Sequence, residues 1–370
     1  MRVLLVLNSG SSSLKFQVFD ADTLAVVATG KVAGIGGAAR LTARFPAGGA
    51  SVDELLARHD HDGALQAVLG LIDAHDDGWT PVATMHRVVH GGPAFRAPVF
   101  VTPEVMAQLQ ALAPLAPLHQ PFNLAGIAAA DRLIAGVPDI ACFDTAFHAG
   151  HGELQHTFAL EVGLRERGVR RYGFHGLSYE WIACRLAAEH PALAAGRVVV
   201  AHLGNGASLC ALQAGISVDT TMGMTALDGL PMGTRCGALD AGAVTYMIRA
   251  LGMDVDEVEH ALYERSGLQG LSGISNDVQT LLASEDPRAA FALTYFAHKV
   301  AQQVAQMAVS LGGLDGLVFT AGIGENAGSL RDAVLGRLEF LGSFEALVIP
   351  ANEERMMAVH AQRLLQTLAS

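Results

Sequence analysis

Two glycine-rich turns, each following an apolar run, are where this sequence first offers chemistry. Asn8-Ser9-Gly10-Ser11-Ser12-Ser13-Leu14-Lys15 follows Val3–Leu7 and gathers backbone N–H groups, hydroxyls and one cation, the equipment that cradles a phosphate. It is not a Walker A loop, because the Gly-Lys-Ser/Thr ending and the following helix are missing. The plain alternative is a polar hairpin turn. His202-Leu203-Gly204-Asn205-Gly206-Ala207-Ser208 repeats the theme after Val198–Ala201. A third junction, Leu317–Thr320 into Ala321-Gly322-Ile323-Gly324-Glu325-Asn326, reads as a strand-to-helix loop suited to nucleotide phosphates or base packing.

The charged residues near these turns are few. Arg87 sits in the apolar run Met85-His86-Arg87-Val88-Val89, where a guanidinium needs an anion or a carboxylate beside it. It serves either a bound phosphate or a structural salt bridge. Arg235 lies in Gly233-Thr234-Arg235-Cys236-Gly237, whose glycines allow the backbone to approach a ligand closely. Asp144 ends the strand-like run Ile140–Phe143, a common place for catalytic groups in α/β sheets. His175, between Gly173-Phe174 and Gly176, is a presented imidazole or a satisfied turn histidine. His119, after a Pro-rich turn, reads as structural. His148, His151 and His156, with Glu153 among them, match no strong metal motif. Taken together, these residues fit phosphoryl transfer, which is mostly positioning and charge neutralisation.

The elements that must position them alternate. Val3–Leu7, the first turn and Leu14–Phe19 make a hairpin. Val198–Ala201, the second turn and Leu209–Leu212 make another, followed by a strand near Ile216–Thr220. This weak internal echo suggests two domains on one plan. Phe296, Val300, Val304, Met307 and Leu311 share a helical face ended by Gly312-Gly313. Val244, Met247, Ile248 and Leu251 follow the N-cap Asp240 and stop at Gly252. Leu124, Ile127 and Ile134 mark a helix ending at Gly136. Strands alternating with helices predict an α/β fold. The domains expected are 1–150 and 151–354, with a final helix, about 355–370, packing back on the first.

The totals agree. A chain of 370 residues with 51% hydrophobic content is long for one core and too apolar for disorder. A formal charge of −12 repels nucleic acid. The four cysteines, Cys142, Cys184, Cys210 and Cys236, form no Cys-x-x-Cys pair and read as reduced thiols. The N-terminal run is too short for a signal peptide and no stretch is long enough for a membrane span, so a cytoplasmic protein is expected.

The segments Asn8–Lys15, His86–Gly92, Phe143–His148, Tyr172–Gly176, His202–Ser208, Met232–Gly237, Phe319–Asn326 and Ile349–Glu354 resemble, in order, the signature segments of the acetate kinase family. That family belongs to the superfamily of acetate and sugar kinases, heat-shock ATPases and actin. The resemblance implies two domains of duplicated ribonuclease-H-like, actin-like fold with a cleft between them, and a homodimer. It implies reversible phosphorylation of acetate by ATP, with Mg²⁺ (or Mn²⁺), by direct in-line transfer.

The resemblance also assigns roles. Arg87 and Arg235 neutralise the phosphoryl group, His175 donates a hydrogen bond to it, and Asp144 orients the carboxylate or helps hold the cation. Glu353 is the Mg²⁺-site acid, with Asn8 beside it. Asn205 and Gly206 contact the ATP phosphates, Asn8, Ser11, Ser13 and Lys15 line the cleft, and Ser11, Ser13, Lys15 and His202 bind the nucleotide. Asp277, Gly322, Ile323, Gly324 and Asn326 border the adenosine. Val89, Leu118, His119, Phe174 and Ala226 form the acyl site.

The sequence departs from the family pattern in places. Ala226 replaces the usual Pro, leaving φ freer and suggesting room for propionate. Gln279 stands where an Arg is usual, which bears on nucleotide selectivity. The stretches after Gly34 and between Arg331 and Val348 are short, as if surface hairpins were trimmed. Two other readings are a kinase for another short carboxylate and an actin-like or heat-shock-like ATPase module with no small-molecule acceptor.

Overall fold

The computed structural model describes every residue except 47, 49, 75–77, 118 and 370, and of residues 368 and 369 the backbone only. Leu118, expected at the acyl site, lies outside the described residues. The chain divides into two compact units, Met1–Phe147 with Asn352–Ser370, and His148–Ala351.

The first unit is built on β1 (Arg2–Ser9), whose residues 3–7 are buried on both faces. Such a strand has no solvent side, so it belongs at the centre of a sheet. β2 (Ser13–Asp20) and β3 (Val26–Ala33) extend the sheet antiparallel on one side, followed by β4 (Arg40–Arg44) and β5 (Val52–Leu55). On the other side β6 (Thr80–Val88) pairs parallel with β1. β7 (Val99–Phe100) and β8 (Asp139–Phe143) complete the order β5-β4-β3-β2-β1-β6-β8-β7. Leu5, Leu7, Leu14 and Phe16 share one core with Leu65 and Val68 of the helix His61–Ala74. The helix Glu353–Ala369 packs on β1 and β6.

The second unit repeats the plan. β9 (Arg197–Leu203), β10 (Ala207–Gln213) and β11 (Ile216–Thr220) are antiparallel neighbours. β12 (Gly316–Thr320) joins β9 in parallel, and β13 (Glu345–Val348) joins β12 in parallel, giving β11-β10-β9-β12-β13. That is the same sequence of pairings as β3-β2-β1-β6-β8 in the first sheet. The fold is therefore a duplicated α/β unit.

The helix Pro287–Leu311 lays its stripe of Phe296, Val300, Val304 and Met307, all fully buried, against β9, β10 and β11. Gly312, at φ 69°, ends it, a left-handed position that suits glycine. Another helix behaves differently. Ala241–Arg249, capped by Asp240, has no buried residue, and Ile248 and Leu251 are 39% and 60% exposed. Among the described residues its apolar side is only partly covered, Val244 and Met247 being half-buried.

Phe296→Ala should cost about 3–5 kcal/mol, because it leaves a void where no side chain can fill in. Val309→Ala on the same helix, at a position 82% exposed, should change stability by less than about 0.5 kcal/mol. Urea denaturation of both variants checks the pair.

Candidate active site

In the first unit the site grows from strand ends. The β1–β2 turn is tight, with Gly10 N–H donating to the Ser13 carbonyl at 2.8 Å. The register sets Asn8 opposite Lys15. Ser11 and Lys15 are exposed, and Asn8 and Ser13 partly so. Hydroxyls, an amide and an ammonium therefore crowd one end of the hairpin. His61 fixes the turn from outside, its Nε2 2.8 Å from the Gly10 carbonyl.

Arg87 lies near the end of β6, and Asp144 one residue past β8, its parallel neighbour. The guanidinium meets the carboxylate side-on: Nε is 3.0 Å from Oδ1 and Nη2 is 2.6 Å from Oδ2. Asp144 is buried, and Arg87 keeps 21% of its side-chain surface. Burial works against the charge on Arg87. The Asp144 carboxylate, its hydrogen bonds, Glu353 and Glu354 more than reverse that, so the guanidinium is held charged more firmly than usual. Among the described residues, Asp144 engages only the guanidinium's Nε and Nη2. The two readings of Arg87 are thus compatible: one edge forms a salt bridge, and the other is open to an anion.

Two amides on the helix Gln120–Leu133, which starts with Pro121 in its first turn, tie these strand ends together. Asn123 donates through Nδ2 to the Ser9 carbonyl at 2.7 Å and accepts through Oδ1 from Val89 N–H at 3.0 Å. Gln120 holds both backbone groups of His90, accepting from N–H at 3.3 Å and donating to the carbonyl at 3.1 Å. The helix can come this close because Gly126 faces Ser9, where a Cβ would lie 2.3 Å from the hydroxyl oxygen. Val89 is buried, and His119 sits immediately before the helix.

Glu353 opens the last helix and Glu354 follows it. Burial, then the neighbouring Glu353 charge, pushes the Glu354 carboxyl above its ordinary pKa, with Arg87 and Lys15 pulling the other way. Glu354 also lines a cavity of about 540 Å³ that includes Lys15.

In the second unit His175 is the pivot. It precedes the helix Gly176–Glu189 with φ 57°, a left-handed conformation that costs a residue with a side chain roughly 1–2 kcal/mol. Its Nδ1 is 2.9 Å from Ser208 Oγ, and that oxygen is 2.5 Å from the Tyr179 hydroxyl. His202 stacks on it, ring centres 4.2 Å apart, and is itself 2.8 Å from Ser178 Oγ.

The far edge of His175 faces Gly206, where a Cβ would lie 3.2 Å from Nε2 and 3.9 Å from Arg235 Nη1. Arg235 Nη1 donates to the Ala226 carbonyl at 3.0 Å. Gly233 packs directly on Asn205, where a Cβ would overlap the amide oxygen. His175, His202, Asn205, Gly206, Arg235 and Ala226 thus come together in this unit. Phe174 is fully buried under the same turn.

The residues expected to border the adenosine lie on short helices of the second unit. Asp277 caps the helix Val278–Leu282, accepting from Thr280 N–H at 3.0 Å. Hydrogen bonds from the Thr280 side chain and backbone hold its carboxyl below the ordinary range. Gly322, Ile323, Gly324 and Asn326 form a short helix, Ala321–Asn326, rather than an open loop. Asn326 donates back to the Gly322 carbonyl at 2.8 Å. The turn is entered through Ala321 at φ 65°.

Several contributors escaped the sequence reading. Gln120 and Asn123 looked like ordinary residues of a helix start, and Glu354 was overshadowed by Glu353. The signal available was a pair of amides flanking Pro121, which is too common to single out.

An α/β chain of two like units, each carrying glycine-framed cations, is the architecture of a phosphoryl-transfer enzyme. The comparisons with known proteins narrow this. Residues 3–359 match the model of the Acetokinase family. An acetate kinase of Rhodopseudomonas palustris is 46% identical, the match covering 98% of each chain. A crystal structure of Porphyromonas gingivalis acetate kinase superposes with a TM-score of 0.89 at 33% identity, covering 99% of this chain and 100% of that one. A propionate kinase from Francisella tularensis gives 0.92 at 33% identity, covering 97% and 99%. The chain belongs to the Acetokinase family and has its duplicated, actin-like fold.

Two predictions follow from this geometry. Asn123→Ala orphans Val89 N–H and the Ser9 carbonyl, each a loss of roughly 1–3 kcal/mol, and calorimetry should register both. Burial holds His148 to about 3 and His151 to about 4, against an ordinary 6.5. Their contribution is complete above pH 6.5. Below it the unfolded chain takes up protons that the folded chain refuses. Stability should then fall by up to about 1.4 kcal/mol per pH unit for each histidine. His151→Gln should flatten that slope in denaturant titrations between pH 4.5 and 6.5.

Proposed function

We propose that this chain is an acetate kinase, moving the γ-phosphoryl group of ATP reversibly to acetate and yielding acetyl phosphate and ADP. The full-length likeness to acetate kinases carries the reading, and the side-chain geometry supports a mechanism. An acetate oxygen attacks the γ-phosphorus as the bond to the ADP oxygen breaks, in line. A carboxylate is already a nucleophile, so no strong base is required.

Charge neutralisation falls to two guanidinium groups. Asp144 serves chiefly to aim Arg87, both of its oxygens being engaged by that side chain. Arg235 is braced by the Ala226 carbonyl. When Ser208 gives its hydrogen to His175 Nδ1, the imidazole donates through Nε2 to the same phosphoryl group. Ser11, Ser13, Lys15, His202, Asn205 and Gly206 contact the nucleotide's phosphates. Asp277 and Gly322–Asn326 border the adenosine. Val89, Leu118, His119, Phe174 and Ala226 receive the acyl group.

The donor set suits Mg²⁺, which needs only one or two carboxylates beside water and phosphate oxygens. Glu353 with Asn8 would hold it, and the raised pKa of the adjoining Glu354 marks negative charge that a cation relieves. Held there, Mg²⁺ would add shielding of phosphate charge. A cytoplasmic homodimer completes the proposal; among the described residues no helix is long and apolar enough to cross a membrane. The dimer reading is supported by the exposed Leu239, Tyr246, Ile248, Leu251 and Val255.

Propionate is the second substrate. A solved propionate kinase superposes over nearly the whole chain, and one methylene discriminates by only about 1–3 kcal/mol. A hydroxylamine-trapping assay should rank acetate above or near propionate, and both far above butyrate. Arg87→Ala and Arg235→Ala should each lower kcat about 10³-fold. ATP turnover that is indifferent to carboxylate would replace this reading with an ATPase module.

A further inference from the structure

His148, His151 and His156 have no role in the mechanism above, yet their rings line up at 5.4 and 5.6 Å spacing. The first of them touches the turn that carries His175. His148 Nε2 is 2.9 Å from the Phe174 carbonyl oxygen. Gly173 lies flat on its ring, where a Cβ would approach Cδ2 to 2.7 Å. A left-handed residue with a side chain persists only where its surroundings over-determine it. Ser208 restrains the His175 ring, and the carbonyl just before His175 is held from below by His148.

The hydrogen positions in this cluster can be worked out. A carbonyl only accepts, so His148 carries its hydrogen on Nε2. His148 is fully buried and held neutral, so Nδ1 is a bare acceptor. The Ser217 hydroxyl, 2.8 Å away, must give it its single hydrogen. Ser217 Oγ then accepts from His151 Nε2 at 2.8 Å and from Cys210 Sγ at 3.3 Å. Burial, reinforced by His151, keeps the His148 pKa near 3, so the arrangement persists across the working range of pH.

We propose that His148 is a positioning residue for phosphoryl transfer: fixed by Ser217 as the Nε2–H tautomer, it anchors the Phe174 carbonyl and holds His175 in the left-handed conformation that presents its imidazole. The inference rests on the reading that His175 contacts the transferring group.

The test uses two shapes of amide. His148→Asn offers an acceptor at the Nδ1 position but no donor at Nε2. His148→Gln places its amide near Nε2 and can donate to Phe174. His148→Asn should lose roughly 100-fold in kcat, the scale of a small misplacement of a reacting group, with KM for acetate and ATP little changed. His148→Gln should recover most of the rate. Unchanged kcat in the Asn variant, or equal loss in both, overturns the proposal.

Nitrogen NMR of the labelled wild-type protein gives a readout that needs no variant. The Nε2–H pattern at His148 is expected, and an Nδ1–H pattern overturns the proposal even if His148→Asn fails to fold. His175→Ala separates the two levels. If it keeps normal turnover, the functional reading itself fails. If it is slow while His148→Asn is normal, only this inference fails.

Discussion

An arginine near the end of a buried strand requires an acid within reach, and Arg87 meets that requirement through Asp144 on the neighbouring parallel strand. The register pairs Arg87 with Cys142 and Val88 with Phe143, so the acid falls one residue beyond the sheet, where its carboxylate can turn to the guanidinium. Breaking a buried pair by removing one partner typically costs about 3–5 kcal/mol. The pairing therefore constrains both the sheet and the chemistry. It fixes β6 against β8 and leaves one edge of the guanidinium for a ligand. His86 and Asp139, also buried, hold the same two strands together further back, 2.8 Å apart.

The second unit meets a different constraint by similar means. There the cation, Arg235, is steadied by the Ala226 carbonyl, to which its Nη1 donates at 3.0 Å. The imidazole beside it is held by a serine, a tyrosine and a stacked histidine.

Much of the framework was legible in the chain. The paired runs Val3–Leu7 and Leu14–Phe19 announce β1 and β2. Val198–Ala201, Leu209–Leu212 and Ile216–Thr220 announce β9 to β11, because apolar runs broken by Gly and Ser can do little else. The stripe from Phe296 to Leu311 fixes a helix but not its start at Pro287. What could not be read is contact at long range. Asn123 meets Ser9 across 114 residues, and no local pattern records that. The helix after Asp240 is present as its spacing predicts, but Ile248 and Leu251 are exposed, because periodicity reports an apolar face without saying what covers it. The glycines at 322 and 324 suggested an open loop, yet Arg331 donates to the Gly324 carbonyl at 2.8 Å and steadies a helical turn.

Gly126, Gly173, Gly206 and Gly233 are working surfaces in their own right: each meets a side chain of the site at a distance where any larger residue would intrude. For protein engineering this divides the neighbourhood into two kinds of position. Ala226 and Val89, proposed above to receive the acyl group, are positions to resize in a search for altered acyl preference. The bare backbone patches are not, since a single methyl there would push aside an amide, an imidazole or a hydroxyl that other groups depend on. A useful library would vary the former and leave the latter alone.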